Sequence, residues 1–183
     1  DKPVAAKKLD DWAVPYEYSF NGRALKACSL PGVFSMGRLD AGSALLLEAL
    51  RQDPAPGGVL DLGCGSGVLG LAARILWPKA RVDLVDSSAL SLEAAKKTFA
   101  ANSLIPRSFR ASNLFSEVPD KYDLILCNPP FHDGPYRDYS FVDRLLNDSG
   151  SHLAPGGQLL LVSNRTLPYA KRISFVFPDT RIV

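Results

Sequence analysis

Short apolar segments alternate with helix-like segments along most of the chain, and this alternation restricts the fold more than any other feature. Strands rich in valine, leucine and isoleucine are predicted at 59–62, 81–86, 108–112, 122–127 and 157–163. Helices are predicted between them at 68–76, 88–102 and 137–153. Such alternation requires right-handed crossovers between neighbouring parallel strands. The sequence therefore predicts an α/β Rossmann-like fold, with a mostly parallel twisted sheet covered by helices on both faces.

The segment before this alternation predicts a linker, a hairpin and a helix. Residues 1–15 are charged and end in Val14-Pro15, which is typical of a linker. Two strand-like runs flank Asn21-Gly22, a dipeptide suited to a two-residue turn, so a β-hairpin is expected over about 16–30. Leucines and alanines at helical spacing predict a helix over 40–51, with Asp40 or Ser43 as its cap. One domain is thus expected over residues 16–183.

The end of the chain has a less regular pattern. A helix is expected over 169–175, followed by a strand-like run, TRIV, at 180–183. The parallel sheet would then have an open edge after residue 163, and open edges are usually paired or covered. We therefore expect an incomplete edge at this end of the domain.

Composition and charge exclude several classes of function. The formal net charge is +2, far from that of a dense basic tail, so charge alone predicts no partner. Cys28, Cys64 and Cys127 form no CxxC pair and are interpreted as reduced, packed thiols, with no metal site expected. The apolar runs are too short to span a bilayer and the first residues do not resemble a signal peptide, so a soluble, cytoplasmic protein is expected.

A glycine-rich turn follows the first strand of the alternation. The run DLGCGSGVLG places Asp61 at the strand end, then Gly63, Gly65 and Gly67 before a helix. Alternate glycines allow the backbone to approach a ligand closely. Nineteen residues after Gly67, Asp86 ends the second strand, where its carboxylate can accept hydrogen bonds from both hydroxyls of a ribose. Together these features favour an adenosine-containing cofactor.

Two cofactors fit the glycine pattern. Gly65, Gly67 and Gly70 also satisfy the GxGxxG pattern of dinucleotide-binding proteins, so NAD is an alternative. An acid directly before the turn, Asp61, would be unfavourable beside a pyrophosphate but favourable beside an ammonium or a sulfonium. The residues therefore favour S-adenosyl-L-methionine, and an oxidoreductase would further need a proton-transfer residue that nothing in the sequence identifies.

The tetrad Asn128-Pro129-Pro130-Phe131 follows the fourth strand, at the edge of the sheet where open α/β folds bind ligands. Two prolines fix φ and exclude helix for the residue before each, so the loop is expected to be extended. Asn128 Oδ1 and the Pro129 carbonyl could accept both protons of an exocyclic NH2, localising its lone pair, while Phe131 stacks on the base. The alternative is a rigid turn with Phe131 packed in the core.

Two further positions could contact ligands. Asn113 follows the third strand, where its side chain or backbone could bind the adenine edge, although a simple turn residue is nearly as good an interpretation. His132 and Asp133 could act as a base and its orienting partner, but the methylated amine is acidic enough to lose its proton to water, so no base is required.

Taken together, the motifs DLGCGSGVLG, SNLF (112–115) and NPPFHDG (128–134), with Asp86, resemble the class I methyltransferases of the small-domain type. The resemblance is greatest to the C-terminal catalytic domain of the RsmC family, the bacterial 16S ribosomal RNA guanine-N2 methyltransferases. The similarity runs from about residue 30 to residue 169, and NPPFHDG is its most specific element.

The resemblance implies methyl transfer from S-adenosyl-L-methionine to the N2 amine of a guanine in small-subunit ribosomal RNA, alone or in the assembled subunit. It also implies roles for the motif residues: Asp61 and the three loop glycines at the methionine moiety, Asp86 at the ribose, Asn113 at the adenine, and Asn128 to Phe131 at the target base. Members of the family carry a second, degenerate domain before the catalytic one, so a larger two-domain chain is expected.

Other acceptors share the Asn-Pro-Pro-aromatic geometry. Adenine N6 and the side-chain amide of a protein glutamine are alternatives within the same enzyme class. A non-catalytic methyltransferase-like scaffold that binds RNA is an alternative from another class. A scaffold has no physical need for Asp61, the glycine loop and Asn128 together, so the sequence favours an enzyme.

Overall fold

A computed structural model describes residues 7–50, 55–129, 140–163, 169–177 and 179–181. After a short 3-10 helix at Leu9–Trp12, the strands are β1 (Val14–Phe20), β2 (Arg23–Ser29), β3 (Gly58–Leu62), β4 (Arg81–Asp86), β5 (Ser108–Ala111), β6 (Tyr122–Cys127) and β7 (Leu153–Leu161). The helices are α1 (Ala41–Ala49), α2 (Val68–Leu76), α3 (Ala89–Ala101), α4 (Ser140–His152) and α5 (Tyr169–Val176).

The main sheet has five parallel strands in the order β5-β4-β3-β6-β7. β3 is at its centre, and all five of its residues are buried. The chain moves outward to β4 and β5 and then returns across β3 to β6, so the strand order reverses between β3 and β6. Ligands of open α/β sheets bind outside the carboxyl ends of the strands at such a reversal.

Helices cover both faces of this sheet. Val59 of β3 packs in a cluster with residues of α2 and α3, whereas Leu60 and Leu62 pack in a second cluster with Leu145 of α4. Neighbouring residues of a strand point to opposite faces, so the continuous apolar run in β3 supplies both clusters. The predicted α/β fold is therefore confirmed. No helix in the described part of the chain has both the length and the apolar character needed to cross a membrane.

The N-terminal hairpin forms a separate two-stranded antiparallel sheet. Asn21 and Gly22 have φ of 49° and 71°, the left-handed conformation that a two-residue hairpin turn requires. Tyr18 and Phe20 are buried in the core cluster of α2 and α3, and Cys28 N donates to Thr98 Oγ1 of α3 at 3.0 Å. The expected hairpin is present, but β1 begins at Val14 and so includes the last two residues of the predicted linker.

Two expectations about the C-terminal part are corrected. β7 was predicted at 157–163, but it runs from Leu153 to Leu161, because Leu153 already pairs with Tyr122 and the ladder resumes at Gln158 after a shift in register. Gly156, with φ of 75°, lies in this irregular stretch. Of the strand predicted at 180–183, Thr180 and Arg181 are not in a strand, and the last two residues lie outside the described ones.

Candidate active site

A cleft of about 370 Å³ opens at the carboxyl ends of β3, β4, β5 and β6. The expected site residues that line the cleft come from four different loops of the chain: Gly63, Gly65, Asp86, Asn113, Asn128 and Pro129. Asp61 and Gly67 do not line the cleft. Pro130 and Phe131, with the neighbouring His132 and Asp133, lie outside the described residues.

Four glycines in the loop and in the first turn of α2 form two pairs with different structural roles. Gly63 and Gly65 have φ of 69° and 52°, and a Cβ at either position would meet no atom within 4 Å. In contrast, a Cβ on Gly67 would lie 2.9 Å from Ala95 Cβ, and one on Gly70 would lie 2.9 Å from Leu84 Cδ2. The first pair thus leaves open backbone toward the cleft, and the second pair allows α2 to pack closely on the sheet and on α3.

Asp86 fastens the glycine loop to the end of β4. Its Oδ2 accepts a hydrogen bond from Gly65 N at 2.9 Å, and its Oδ1 accepts one from Ser88 N at 2.8 Å. Gly63 N and Cys64 N both donate to Val85 O, which joins the same two loops a second time. The half-buried carboxylate is therefore held at the cleft wall, close to the backbone of the loop.

Asp61 lies below the glycine loop and is 1% exposed. Its Oδ2 accepts a hydrogen bond from Gly70 N, in the first turn of α2, at 2.8 Å. Burial raises the pKa of this carboxyl group to about 8, since a buried charge loses its hydration, and the nearby Asp86 charge adds to the shift. The side chain therefore supports the loop and the start of α2 from beneath.

Substitution of Gly70 by alanine is expected to destabilise the fold. The new Cβ would lie within 3.0 Å of Leu84 and of Asp61 Oδ2, and overpacking of this kind costs about 1–3 kcal/mol, more than the roughly 1 kcal/mol that alanine gains in a helix. The measurement is urea unfolding of the variant beside Gly150→Ala. Gly150 is also helical, but its Cβ would meet no atom within 4 Å, so this control should unfold at equal or higher urea. Equal midpoints for both variants would contradict the packing argument.

Asn128 is oriented by the start of α1. Its Nδ2 donates to Asp40 Oδ1 at 2.9 Å and to Ser43 Oγ at 3.1 Å. Both protons of the amide nitrogen are therefore used within the protein, which leaves Oδ1 as the polar atom of this side chain that can accept a hydrogen bond. The acceptor capacity of this amide therefore lies in Oδ1, and its expected role toward an acceptor amine stays a prediction.

The two remaining cleft residues that were expected from the sequence, Asn113 and Pro129, differ in exposure. The Asn113 side chain is exposed, and its backbone N–H donates to Ser116 Oγ at 3.2 Å in the turn after β5. Pro129 is buried directly after Asn128. The two residues therefore line different parts of the cleft wall, at the ends of β5 and β6.

Several cleft residues were not identified from the sequence. Tyr16 of the hairpin lines the cleft and its hydroxyl bonds to Ser66 Oγ at 3.0 Å. Phe34, which is 59% exposed, lies on the loop between β2 and α1 and also lines the cleft. Local sequence carries no sign of these contacts, because the hairpin and this loop reach the cleft only through tertiary packing.

Comparison with known proteins agrees with the motif-based resemblance. The chain is 41% identical over 182 residues to the ribosomal RNA small subunit methyltransferase C of Psychromonas ingrahamii, covering 100% of this chain and 52% of the relative. It is 44% identical to the protein of the same name from Pseudomonas entomophila, covering 92% of this chain and 50% of that one. The chain thus spans about half the length of the curated relatives it matches.

Solved structures give the same result. The fold superposes on the RsmC 16S rRNA N2 methyltransferase of T. thermophilus, solved with AdoMet and guanosine, with a TM-score of 0.84 and 32% identity. That match covers 97% of this chain and 49% of the other. The family described as "Methyltransferase small domain" matches residues 24–183. The predicted resemblance is confirmed, and the chain belongs to the methyltransferase small domain family.

Proposed function

We propose that this chain binds S-adenosyl-L-methionine in the cleft and transfers its methyl group to the exocyclic N2 amine of a guanine in 16S ribosomal RNA. The T. thermophilus neighbour, solved with AdoMet and guanosine, supports both the cofactor and the acceptor. The RNA alone or the small ribosomal subunit would be the partner, which implies a cytoplasmic location. The relatives named after small-subunit ribosomal RNA support this assignment, although they are about twice as long.

The observation that carries the proposal is that an oriented amide acceptor and an open glycine loop line one cleft. The Asn128 amide is held through Nδ2 and keeps Oδ1 as its acceptor atom, while Gly63 and Gly65 leave room for a ligand against their backbone. Asp86 supplies an acceptor pair at the end of the neighbouring strand, suited to two ribose hydroxyls. These groups would hold S-adenosyl-L-methionine, the loop at its methionine end, Asp86 at its ribose and Asn113 near its adenine.

The residues of the chain would promote transfer by alignment and electrostatics. Bound S-adenosyl-L-methionine supplies an electrophilic methyl group. Asn128 Oδ1 and the Pro129 carbonyl would accept hydrogen bonds from the two protons of the guanine NH2, so that its lone pair is localised and directed at the methyl carbon. The backbone of the glycine loop, held from below by Asp61 and Gly67, would fix the other reactant in line. Phe131 would stack on the base.

Replacement of Asp86 by alanine is expected to weaken binding of S-adenosyl-L-methionine about 10- to 100-fold, because hydrogen bonds to a charged group contribute about 1.5–3 kcal/mol. Calorimetric titration of the chain measures this affinity. Glu93→Gln is the matched control, because Glu93 is an acid on α3 that pairs with Lys96 away from the cleft. The affinity of this variant for S-adenosyl-L-methionine should equal that of the unaltered chain. Unchanged affinity in the Asp86 variant would contradict the ribose assignment, and preferential binding of NAD would contradict the cofactor.

The acceptor is tested by methyl transfer from labelled S-adenosyl-L-methionine. Substrates are 16S ribosomal RNA and assembled small subunits that lack the modification, and the product nucleoside is identified by mass spectrometry. N2-methylguanosine is the expected product. Detection of N6-methyladenosine or of a methylated glutamine would instead support one of the alternative acceptors. Binding of the cofactor without methylation of any of these acceptors would indicate a scaffold.

A further inference from the structure

The amide of Asn128 has two hydrogen-bond partners that lie far away in the sequence. Asp40 is 88 residues before Asn128 and Ser43 is 85 residues before it. Both partners belong to the start of α1, whereas Asn128 follows β6 on the central sheet. A helix and a strand end are thus joined through one side chain that faces the cleft.

Asp40 is itself fixed in place. Its Oδ1 accepts hydrogen bonds from Gly42 N at 2.9 Å and from Ser43 N at 3.1 Å, so the carboxylate caps α1. The same oxygen accepts the bond from Asn128. A carboxylate held by two backbone N–H groups has little freedom to turn, so it can hold the Asn128 amide in one orientation.

Gly42 allows the amide to approach α1 closely. A Cβ at this position would lie 2.8 Å from Asn128 Oδ1, a distance that real Cβ atoms do not show. Three features of one helix start therefore fit the Asn128 side chain: the carboxylate of Asp40, the missing Cβ of Gly42 and the hydroxyl of Ser43. Helix capping alone explains the presence of Asp40. It explains neither the missing Cβ at position 42 nor the hydrogen bond that Asn128 Nδ2 donates to Ser43 Oγ.

We propose that Asp40 is a positioning residue for methyl transfer, which acts through Asn128 with the help of Ser43. This inference rests on the function proposed above. A rotated amide would place Oδ1 against the Asp40 carboxylate and present an N–H donor to the cleft, where it would oppose the protons of the acceptor amine. By accepting from Nδ2, Asp40 and Ser43 exclude that orientation.

The charge of Asp40 has a second effect. A carboxylate that accepts from an amide N–H polarises the amide, so electron density moves toward Oδ1 and makes it a better acceptor. During transfer, positive charge leaves the methyl donor and develops on the acceptor nitrogen. A negative charge one side chain away from that nitrogen stabilises this development, and it acts through the Asn128 amide.

Two variants separate position from charge. Asp40→Asn keeps an oxygen for the two N–H groups and for Asn128 but removes the charge, so kcat is expected to fall about 10-fold. Asp40→Ser keeps a good helix cap but is too short to reach Asn128, so kcat should fall about 100-fold. The affinity for S-adenosyl-L-methionine should stay within about two-fold in both variants. A purely structural role would lower the unfolding temperature of the serine variant and leave kcat unchanged.

A charge exchange gives a rescue test. Asn128→Asp places two carboxylates together and should be nearly inactive, whereas combining it with Asp40→Asn removes the repulsion between two negative charges. The double variant should therefore be more active than Asn128→Asp alone. Additive losses in kcat would overturn the proposed coupling.

The pairing has a spectroscopic readout that needs no RNA. In the ¹⁵N-labelled chain, the Nδ2 protons of Asn128 should give a downfield, slowly exchanging pair that disappears in Asn128→Ala and shifts in Asp40→Ser. An unaltered chain that binds the cofactor but transfers no methyl group would refute the proposed function, whatever the resonances show. An active chain whose Asp40→Ser variant retains its kcat, or whose Asn128 resonances do not shift, would refute the positioning role.

Discussion

Replacement of Asn128 by alanine is expected to lower kcat for methyl transfer about 10²- to 10³-fold, the loss typical of removing one preorganised hydrogen-bonding group from a reaction centre. Alanine removes the acceptor Oδ1 and leaves Asp40 Oδ1 and Ser43 Oγ without their shared donor. Single-turnover rates with saturating S-adenosyl-L-methionine and unmodified ribosomal RNA measure the effect. Binding of the cofactor should change little, because Asn128 is assigned to the acceptor base.

Asn102→Ala is the matched control for this prediction. The Asn102 amide donates to Lys26 O and to Thr98 O, joining α3 to the hairpin away from the carboxyl edge of the sheet. This control should lose stability while kcat at a temperature where it is folded stays within about two-fold. Equal losses of kcat in both variants would mean that Asn128 acts only through folding.

Replacement of Asp61 by asparagine is expected to change how stability depends on pH. Burial raises the folded-state pKa of Asp61 to about 8, well above the ordinary value of 3.8 for an exposed carboxyl group. Between these values the folded chain binds a proton that the unfolded chain has released, so the free energy of unfolding falls as pH rises from about 4 to about 8. The full effect is of the order of 5 kcal/mol.

The asparagine variant carries no titrating group at this position, and its carbonyl oxygen can still accept from Gly70 N. The variant should therefore lose less stability than the unaltered chain between pH 5.5 and pH 8.5. Urea unfolding of both chains in the same buffers measures the difference between their free energies of unfolding. The contributions of the other titrating groups are the same in both chains and cancel in this difference. Parallel profiles would show that Asp61 is ionised in the folded chain across this range.

The sequence alone determined the architecture. The apolar runs of β3, β4 and β6 alternate with helical spacing, and a chain of this pattern can bury both faces of its strands only as a parallel sheet between helices. The hairpin followed from Asn21-Gly22, since this dipeptide adopts the φ values that the turn needs. Such features are local, and local sequence is sufficient to predict them.

The meeting of several predicted residues in one cleft was also accessible from sequence. Gly63, Gly65, Asn113 and Asn128 follow predicted strands and Asp86 ends one, and the carboxyl ends of parallel strands meet at one edge of a sheet. Element boundaries were less accurate: β7 begins four residues early, because its first residues pair with β6 across an irregular stretch that apolar spacing does not reveal.

Only the tertiary structure decided which groups touch. The Asp61 carboxylate accepts from Gly70 N, a contact that depends on how α2 packs against the sheet, and its expected place near the methionine moiety stays a prediction. The bond between Asp40 and Asn128 joins residues 88 positions apart. Neither residue has a local pattern that identifies its partner, because such a contact depends on where α1 lies relative to β6 and on the space left by Gly42.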